Sequence, residues 1–229
     1  MLHKSHSRAL TAEALGTGLL LSVVVGSGIM GERLSGGNTA VALLANALAT
    51  GAGLIALILA LAPVSGAHFN PVVTFTQAAE GGLPWSRVPG YIAAQVLGAF
   101  AGTAAADFMF GLPLYSASGH TRTGASQWFS EAVATFGLLL VIRGCSHGFK
   151  RAVPFAVAAY IVAAYWFTAS TAFANPAVTL ARTVSDTFAG IRAVDAPGFI
   201  AAQIAAAAVS IPALRWLIPN AAPKETSNA

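Results

Sequence analysis

Charged side chains are scarce in this chain of 229 residues. Twelve Lys and Arg and eight Asp and Glu make up 9% of it, whereas 56% is hydrophobic and the mean hydropathy is +0.70. A soluble domain normally carries about 25% charged residues. So few charges cannot cover a water-facing surface, which excludes an ordinary soluble domain and predicts a protein embedded in the lipid bilayer.

Cysteine and recognisable catalytic groups are also lacking. Cys145 is the single cysteine, which excludes an intramolecular disulfide and leaves the redox compartment undecided. The sequence shows no nucleophile–base pair and no cluster of metal-ligating residues. We therefore expect no enzymatic activity, no cofactor and no metal, and no nucleic-acid partner.

Apolar runs without charge dominate what remains, and two of them, 34–79 and 152–181, are too long for one helix. A spanning helix needs about 20 mainly apolar residues. The runs predict an all-α membrane protein with six spans and two re-entrant half-helices. The spans are expected at 9–29, 39–62, 88–110, 126–145, 152–170 and 197–218, and the half-helices at 70–79 and 175–184.

One motif occurs twice, as HFNPVVTF at 68–75 and FANPAVTL at 173–180. Asn is a strong helix N-cap, and Pro suits the first helical position. The sequence therefore encodes the same helix start twice, at corresponding places in two halves.

The two halves resemble each other outside this motif. TAEALGTGLLL (11–21) parallels FSEAVATFGLLL (129–140), and GYIAAQVLGA (90–99) parallels GFIAAQIAAA (198–207). Three spans per half is an odd number, so the second half must be inserted upside down. We expect repeats at 1–115 and 116–229 that form one pore domain, since inverted repeats with matching broken segments indicate a transport site between them.

Basic residues set the expected orientation. With both termini cytoplasmic in the inner (plasma) membrane, the cytoplasmic side holds eight Lys and Arg and the other side four, as the positive-inside rule favours. The cytoplasmic eight are Lys4, Arg8, Arg87, Arg143, Lys150, Arg151, Arg215 and Lys224, and the other four are Arg33, Arg122, Arg182 and Arg192.

Two half-helices entering from opposite faces must bring their N-termini together near the bilayer centre. Each helix start carries about half a positive charge, so the pair repels cations, including protons. Asn70 and Asn175 would cap these helices and aim amide N–H groups into the lumen. A neutral, hydroxyl-bearing solute can accept such hydrogen bonds while it crosses.

We call the two Asn-Pro motifs at Asn70 and Asn175 the first and the second box. With these boxes, and with Glu13 and Glu131 in the first helix of each half, residues 8–218 resemble the aquaporin and aquaglyceroporin family, the major intrinsic proteins. The resemblance implies a pore in each subunit of a homotetramer, and passive conduction of water or small uncharged solutes across the lipid bilayer. It also implies that the two glutamates accept hydrogen bonds from the half-helix loops, a proton relay being the alternative, and that His68 supports the adjacent loop.

The boxes and the filter depart from the usual pattern of that family. The usual box of that family is Asn-Pro-Ala, and the second box here has this sequence (Asn175, Pro176, Ala177). The first box (Asn70, Pro71) has Val72 in place of the alanine, which adds two methyl groups where the boxes pack together. Val178 replaces the filter arginine of water channels, and spacing from the boxes places Thr50, Ala163 and Ala172 at the other filter positions. These four side chains predict a wide constriction with one hydroxyl and no fixed cation; alternatively Val178 only packs, and another residue closes the ring.

Arg182 lies four residues after Val178 and so shares its helical face, about 6 Å nearer the outer mouth. It either lines the outer vestibule or reaches the membrane interface as a surface arginine. The second placement is favoured, and Arg182 is not expected to replace the missing filter arginine.

These features predict a passive channel. In lacking the filter arginine, the chain resembles bacterial aquaglyceroporins associated with arsenic resistance. The expected permeants are therefore metalloid hydroxides such as arsenite, and also glycerol, urea and water. A water-selective channel is the alternative within the family, disfavoured by Thr50, Ala163 and Val178. An ion-coupled secondary transporter is the alternative from another class, and it would need an ion-binding residue in the pathway beyond Glu13 and Glu131.

Overall fold

The computed structural model describes residues 6–219, and all of the regular secondary structure in that range is helical. Lys4 and Lys224, which the predicted orientation used, lie outside the described residues. Eight α-helices follow one another: α1 (His6–Leu34), α2 (Thr39–Leu61), α3 (Pro71–Ala79), α4 (Val88–Met109), α5 (Ala125–Gly148), α6 (Val153–Phe167), α7 (Pro176–Ala181) and α8 (Ala196–Leu217).

The predicted fold class is confirmed, with six spans and two half-helices, α3 and α7. Five helices (α1, α2, α4, α5 and α8) are long and apolar enough to cross a bilayer. The sixth, α6, has 15 residues and follows directly on a turn of 3-10 helix at Lys150–Ala152. Helix and turn together rise about 28 Å, close to the thickness of the hydrocarbon core. This helix ends at Phe167, three residues before the predicted end of the span at about 170, because the backbone is already extended at Thr168.

The helices pack as two related sets. In the first half, α1 packs against α2 and α4; in the second, α5 packs against α6 and α8. Helices α2 and α6 meet across the two halves, and both half-helices contact α4 and α8. The core therefore lies between the halves, around the starts of α3 and α7.

Helices α1 and α4 approach so closely that their backbones touch. A Cβ atom at Gly98 would lie 2.1 Å from the carbonyl oxygen of Ala14, and one at Gly102 would lie 1.9 Å from that of Gly18. The Ser22 hydroxyl donates to the carbonyl of Gly102 at 3.0 Å. Small residues at this crossing let the helices pack without intervening side chains.

The two ends of the molecule differ. We call the end that holds the start of α1 and the end of α8 the terminal face, and the end that holds 110–124 and 185–195 the loop face. At the terminal face, buried Arg143 pairs with Glu80 (2.6 Å) and donates to the carbonyls of Leu214 and Ile218. Arg215 donates to the carbonyl of Ala79. The C-terminal end of α3 is thus fixed to α5 and α8 by cations, which also suit its dipole.

Candidate permeation site

Each half-helix begins at an Asn that caps it. The Asn70 backbone is extended, and its Oδ1 accepts from the N–H of Val72 at 3.1 Å. The Asn175 backbone is likewise extended, and its Oδ1 accepts from the N–H of Ala177 at 3.0 Å. In both cases the following proline is the first helical residue, so both half-helices start where the motif predicts.

The same two side chains bond across to the other half. Asn70 Nδ2 donates to the carbonyl of Ala174 at 2.8 Å, and Asn175 Nδ2 donates to the carbonyl of Phe69 at 2.8 Å. The two half-helices therefore meet start to start. Each amide has two N–H bonds and uses one here, and both Asn side chains line one cavity, where the second N–H is available to a solute.

The loop before each Asn has a left-handed backbone at matching positions. The φ angle is 52° at Ala67 and 50° at Phe69, and it is 50° at Ala172 and 47° at Ala174. Each such residue other than glycine costs about 1–3 kcal/mol and persists only where the surroundings fix it. Something must therefore hold both loops.

Glu131 holds the second loop. Its Oε1 accepts from the N–H of Phe173 (2.9 Å), and its Oε2 accepts from the N–H of Ala174 (2.8 Å) and from Nε2 of Gln203 (2.6 Å). The side chain is completely buried. A carboxylate at this point satisfies two backbone donors that the bent loop cannot use internally.

Glu13 makes the matching set in the first loop. It accepts from the N–H groups of His68 (3.0 Å) and Phe69 (2.7 Å) and from Nε2 of Gln95 (2.8 Å). Nδ1 of His68 lies 3.1 Å from Oγ1 of Thr74. The His68 ring also lines the cavity that the two Asn side chains share.

Two pairs of residues in these networks were missed by the sequence analysis. Gln95 also donates to Thr74 Oγ1 (2.8 Å), and Gln203 also donates to Thr179 Oγ1 (3.0 Å). The signal was present, because both boxes have Thr four residues after Asn and both third spans contain Ala-Ala-Gln. The duplicated residues identify the support network as well as the boxes.

Val72, the departure in the first box, is buried in a cluster with Leu139, Ala207 and Leu214 of α5 and α8. Its extra methyl groups therefore pack against neighbouring spans, and an alanine of α8 leaves room for them. Both cross-bonds between the boxes are present alongside it.

The lining of the cavity is mostly apolar, with a few polar side chains. Its lining includes leucine, isoleucine and valine side chains of α1, α2, α5 and α6, together with the two box loops. Within the part of the chain that the structure describes, Arg182 is the only permanently charged residue that lines it. The polar side chains in the lining are Thr50, His68, Asn70, Tyr165, Asn175 and Arg182.

Three of the four expected filter residues, Thr50, Ala172 and Val178, line this cavity, but Ala163 does not. Ala163 is exposed on the outer surface of α6, so its assignment is wrong. On a helix it points about 200° away from Ile161, which lines the cavity.

Tyr165, one turn after Ile161, supplies the polar group of α6 instead. It is buried, and its hydroxyl lies 3.3 Å from Thr50 Oγ1. Tyr165 was not among the residues predicted from the sequence.

Arg182 is not a surface arginine. It is 2% exposed, its Cζ lies 3.5 Å from the centroid of the Phe173 ring, and its Nε donates to the carbonyl of Ala189. The preference for a membrane-interface position is wrong, because α7 ends at Ala181 and the following loop folds back over Arg182, with the N–H of Ile191 bonded to its carbonyl. The cavity therefore carries a fixed cation, against the expected neutral ring.

Arg122, in the link between the halves, is a second guanidinium beside the same ring. Its Cζ lies 5.2 Å from the Phe173 centroid, its Nε donates to the carbonyl of Gly190 (2.8 Å), and its Nη1 donates to that of Ser170 (3.3 Å). This link showed only loop composition in the sequence, so no pattern marked Arg122.

Asp195 completes the loop-face network. Its carboxylate accepts from the backbone N–H of Arg122 (2.9 Å) and from Nε of Arg192 (2.9 Å). These hydrogen bonds, that from the Arg192 side chain first, lower the pKa of Asp195 below its ordinary value. The link between the halves is thus tied to the start of α8.

An inverted repeat whose two half-helices meet by mutual Asn bonds around one lined cavity defines a transmembrane channel of the aquaporin type. Residues 1–151 match the family Major intrinsic protein (MIP), and the chain belongs to this family. The resemblance found in the sequence is confirmed.

Similarity to known proteins supports the assignment of the chain to this family. The chain is 51% identical over 217 residues to the aquaglyceroporin AqpS of Rhizobium meliloti, covering 95% of this chain and 93% of that one. It is 38% identical over 129 residues to the probable aquaporin NIP7-1 of Arabidopsis thaliana, covering 56% and 46% respectively. The X-ray structure of the aquaglyceroporin from Plasmodium falciparum has the same fold, with a TM-score of 0.71 at 22% identity over 92% of this chain and 96% of that one.

The protein is therefore an integral, multi-pass membrane protein and an aquaglyceroporin-type channel for small solutes and water, and not an enzyme.

Proposed function

We propose that this channel passively conducts small uncharged solutes, namely metalloid hydroxides such as arsenite, glycerol and urea, together with water. The observation that supports this most is the position of Asn70 and Asn175, which bond to each other's loops and line a largely apolar cavity. A solute that leaves water needs hydrogen-bond donors at that point, and the amides supply them. The converging helix starts oppose cations.

Selectivity is assigned to the lining residues nearest the loop face. Thr50, Ala172 and Val178 form the filter, and Arg182 faces the vestibule beside it. Val178 and Ala172 are small, which favours solutes larger than water. Glu13 and Glu131 support the half-helix loops and do not line the cavity, whereas His68 supports the first loop and its ring lines the cavity.

The buried position of Arg182 favours one alternative, a water-selective channel. A guanidinium in the cavity together with the Tyr165 ring narrows the path and adds donors. An ion-coupled transporter is not favoured, because Glu13 and Glu131 each accept three hydrogen bonds and neither is among the residues that line the cavity.

We further propose that the loop face is external, with both termini cytoplasmic in the inner (plasma) membrane. Among the described residues, six Lys and Arg belong to the terminal face (Arg8, Arg87, Arg143, Lys150, Arg151 and Arg215) and four to the loop face (Arg33, Arg122, Arg182 and Arg192). Repeats at 1–115 and 116–229 then form one pore domain, and four copies form a homotetramer with one pore each.

The test is light-scattering stopped-flow with purified protein in vesicles, using water, glycerol, urea and arsenite in turn. All ion gradients are collapsed beforehand. Glycerol and arsenite flux above that of empty vesicles is expected. Flux of water alone supports the water-selective alternative, and solute flux that requires an ion gradient contradicts the proposal.

A matched pair of variants checks that the solute uses this cavity. Tyr165→Phe removes one hydroxyl from the lining, whereas Tyr160→Phe removes one that bonds elsewhere, to the carbonyl of Val133. The glycerol-to-urea flux ratio should change in the first variant only.

A further inference from the structure

Arg182 forms no ion pair with any described residue. The two ion pairs within residues 6–219 are Arg143 with Glu80 and Arg192 with Asp195, and Arg182 belongs to neither. Its Nε bonds to the carbonyl of Ala189, which leaves both Nη groups, four N–H donors, without a protein acceptor among the described residues. The side chain is nonetheless 2% exposed and lines the cavity.

A cation in this state is unfavourable without a counter-charge. Taking an ion out of water costs several kcal/mol unless an opposite charge and hydrogen bonds replace the water. No Asp or Glu is among the residues that line this cavity in the described part of the chain. The cavity therefore has a net positive lining that an anion would neutralise.

The Arg182 side chain is also held in place. Its guanidinium stacks on the Phe173 ring, and that ring packs edge-on against Phe199 at 5.2 Å between centroids. The Arg122 guanidinium lies 5.2 Å from the centroid of the same ring. Because the guanidinium and its N–H donors are already fixed in position, they lose little conformational entropy when they bind a ligand.

Other donors line the same cavity. The hydroxyls of Thr50 and Tyr165 lie 3.3 Å apart and share one hydrogen bond, in which only one of their two hydrogens is used. The remaining O–H is available as a further donor. The polar groups toward the loop face are thus mainly donors.

We propose that this end of the cavity is a binding site for a small carboxylate-type oxyanion, held by Arg182, and that its occupation blocks the passage of neutral solutes. The planar guanidinium fork matches two oxygens on one atom, in the bidentate geometry that carboxylates form with arginine. The lining beyond it is mostly leucine, isoleucine and valine, where an anion would lose its hydration without replacement. The anion therefore enters, binds and does not cross.

The test measures glycerol flux in vesicles at neutral pH with sodium formate on both sides. Sodium gluconate at the same ionic strength is the control, because it carries the same charged group on a six-carbon body that is far bulkier than formate. Formate is expected to inhibit in a saturable manner and gluconate to have no effect. Equal flux in both salts overturns the proposal.

Variants assign the effect to the residue. Arg182→Leu should abolish inhibition by formate. Arg182→Lys, which keeps the charge and loses the fork, should raise the half-inhibiting concentration about tenfold, the factor that corresponds to one charge-assisted hydrogen bond. Arg192→Gln removes a loop-face cation outside the cavity and should retain full inhibition. Equal inhibition in the Leu variant and the wild type overturns the proposal.

A second readout does not depend on transport. A ligand that binds the folded state raises its melting temperature. Formate should therefore stabilise the wild type in detergent relative to gluconate, and it should not stabilise the Leu variant. If formate stabilises the wild type but does not inhibit its glycerol flux, the proposal that the bound anion blocks the passage is overturned. If the wild type transports no solute, the proposed function fails, and this melting shift alone decides whether the anion site exists.

Discussion

Replacing Glu131 by Gln tests whether one carboxylate holds the strained loop before the second box. The change keeps the size of the side chain and turns one of its two acceptor oxygens into an NH2 donor. Three donors now share the carboxylate, namely the N–H groups of Phe173 and Ala174 and Nε2 of Gln203. At best, the amide oxygen keeps two of them and leaves one buried N–H facing another donor.

The magnitude follows from these contacts. An orphaned buried donor costs about 2 kcal/mol, and each remaining bond weakens by about 1 kcal/mol because its acceptor is no longer charged, which gives a total of about 4 kcal/mol. For a chain of this size, that corresponds to a fall in melting temperature of about 10 °C. The loop loses the bonds that hold the left-handed backbone of Ala172 and Ala174, so glycerol flux per folded channel should fall as well.

The assay compares thermal unfolding in detergent with stopped-flow glycerol flux. Glu32→Gln is the control, because Glu32 is exposed at the end of α1 and loses the same charge on substitution. If Glu131→Gln melts and conducts like the wild type, the loop keeps its conformation without the carboxylate, and the reasoning from its hydrogen bonds is refuted.

Three further substitutions test the filter, the centre and the helix packing. Val178→Arg places a second guanidinium in the cavity, and glycerol flux should fall more than water flux; equal glycerol flux with normal folding would remove Val178 from the filter. Asn175→Asp puts a negative charge where the half-helices meet, so cation conductance in planar bilayers should rise, and an unchanged conductance would mean that another barrier excludes ions. Gly98→Ala brings a methyl group to 2.1 Å from the carbonyl of Ala14 and should cost about 1–3 kcal/mol in thermal stability. Gly148→Ala meets no atom within 4 Å and should cost nothing; equal stability of the two variants would show that the helices separate freely.

The parts of the fold that could be predicted are those encoded locally. Asn followed by Pro specifies a helix start wherever it occurs, so both half-helices begin at the predicted residues. The apolar runs likewise gave the spans to within a few residues. Helix α1 extends beyond its prediction at both ends, since polar and charged residues such as Glu32 and Arg33 remain helical outside the hydrocarbon core.

The errors arose where the outcome depends on distant segments. Counting residues back from the second box led to Ala163, but a non-helical stretch at 168–175, left-handed at Ala172 and Ala174, separates the box from α6, so helical spacing does not carry across it to Tyr165. The position of Arg182 depends on the loop at 185–195 that covers it. Neither can be inferred from residue spacing on a regular helix.

The paired bonds between the boxes also bear on how the protein is synthesised. Asn70 is translated more than a hundred residues before Ala174, whose carbonyl it needs. During that interval the nascent first repeat holds a dipping loop with no permanent acceptor for its amide, deep in the bilayer. The newly made chain must shelter this polar tip, in water or against the insertion machinery, until the later repeat arrives. Truncated products that stop before residue 174 are therefore expected to be the ones that cellular quality control removes.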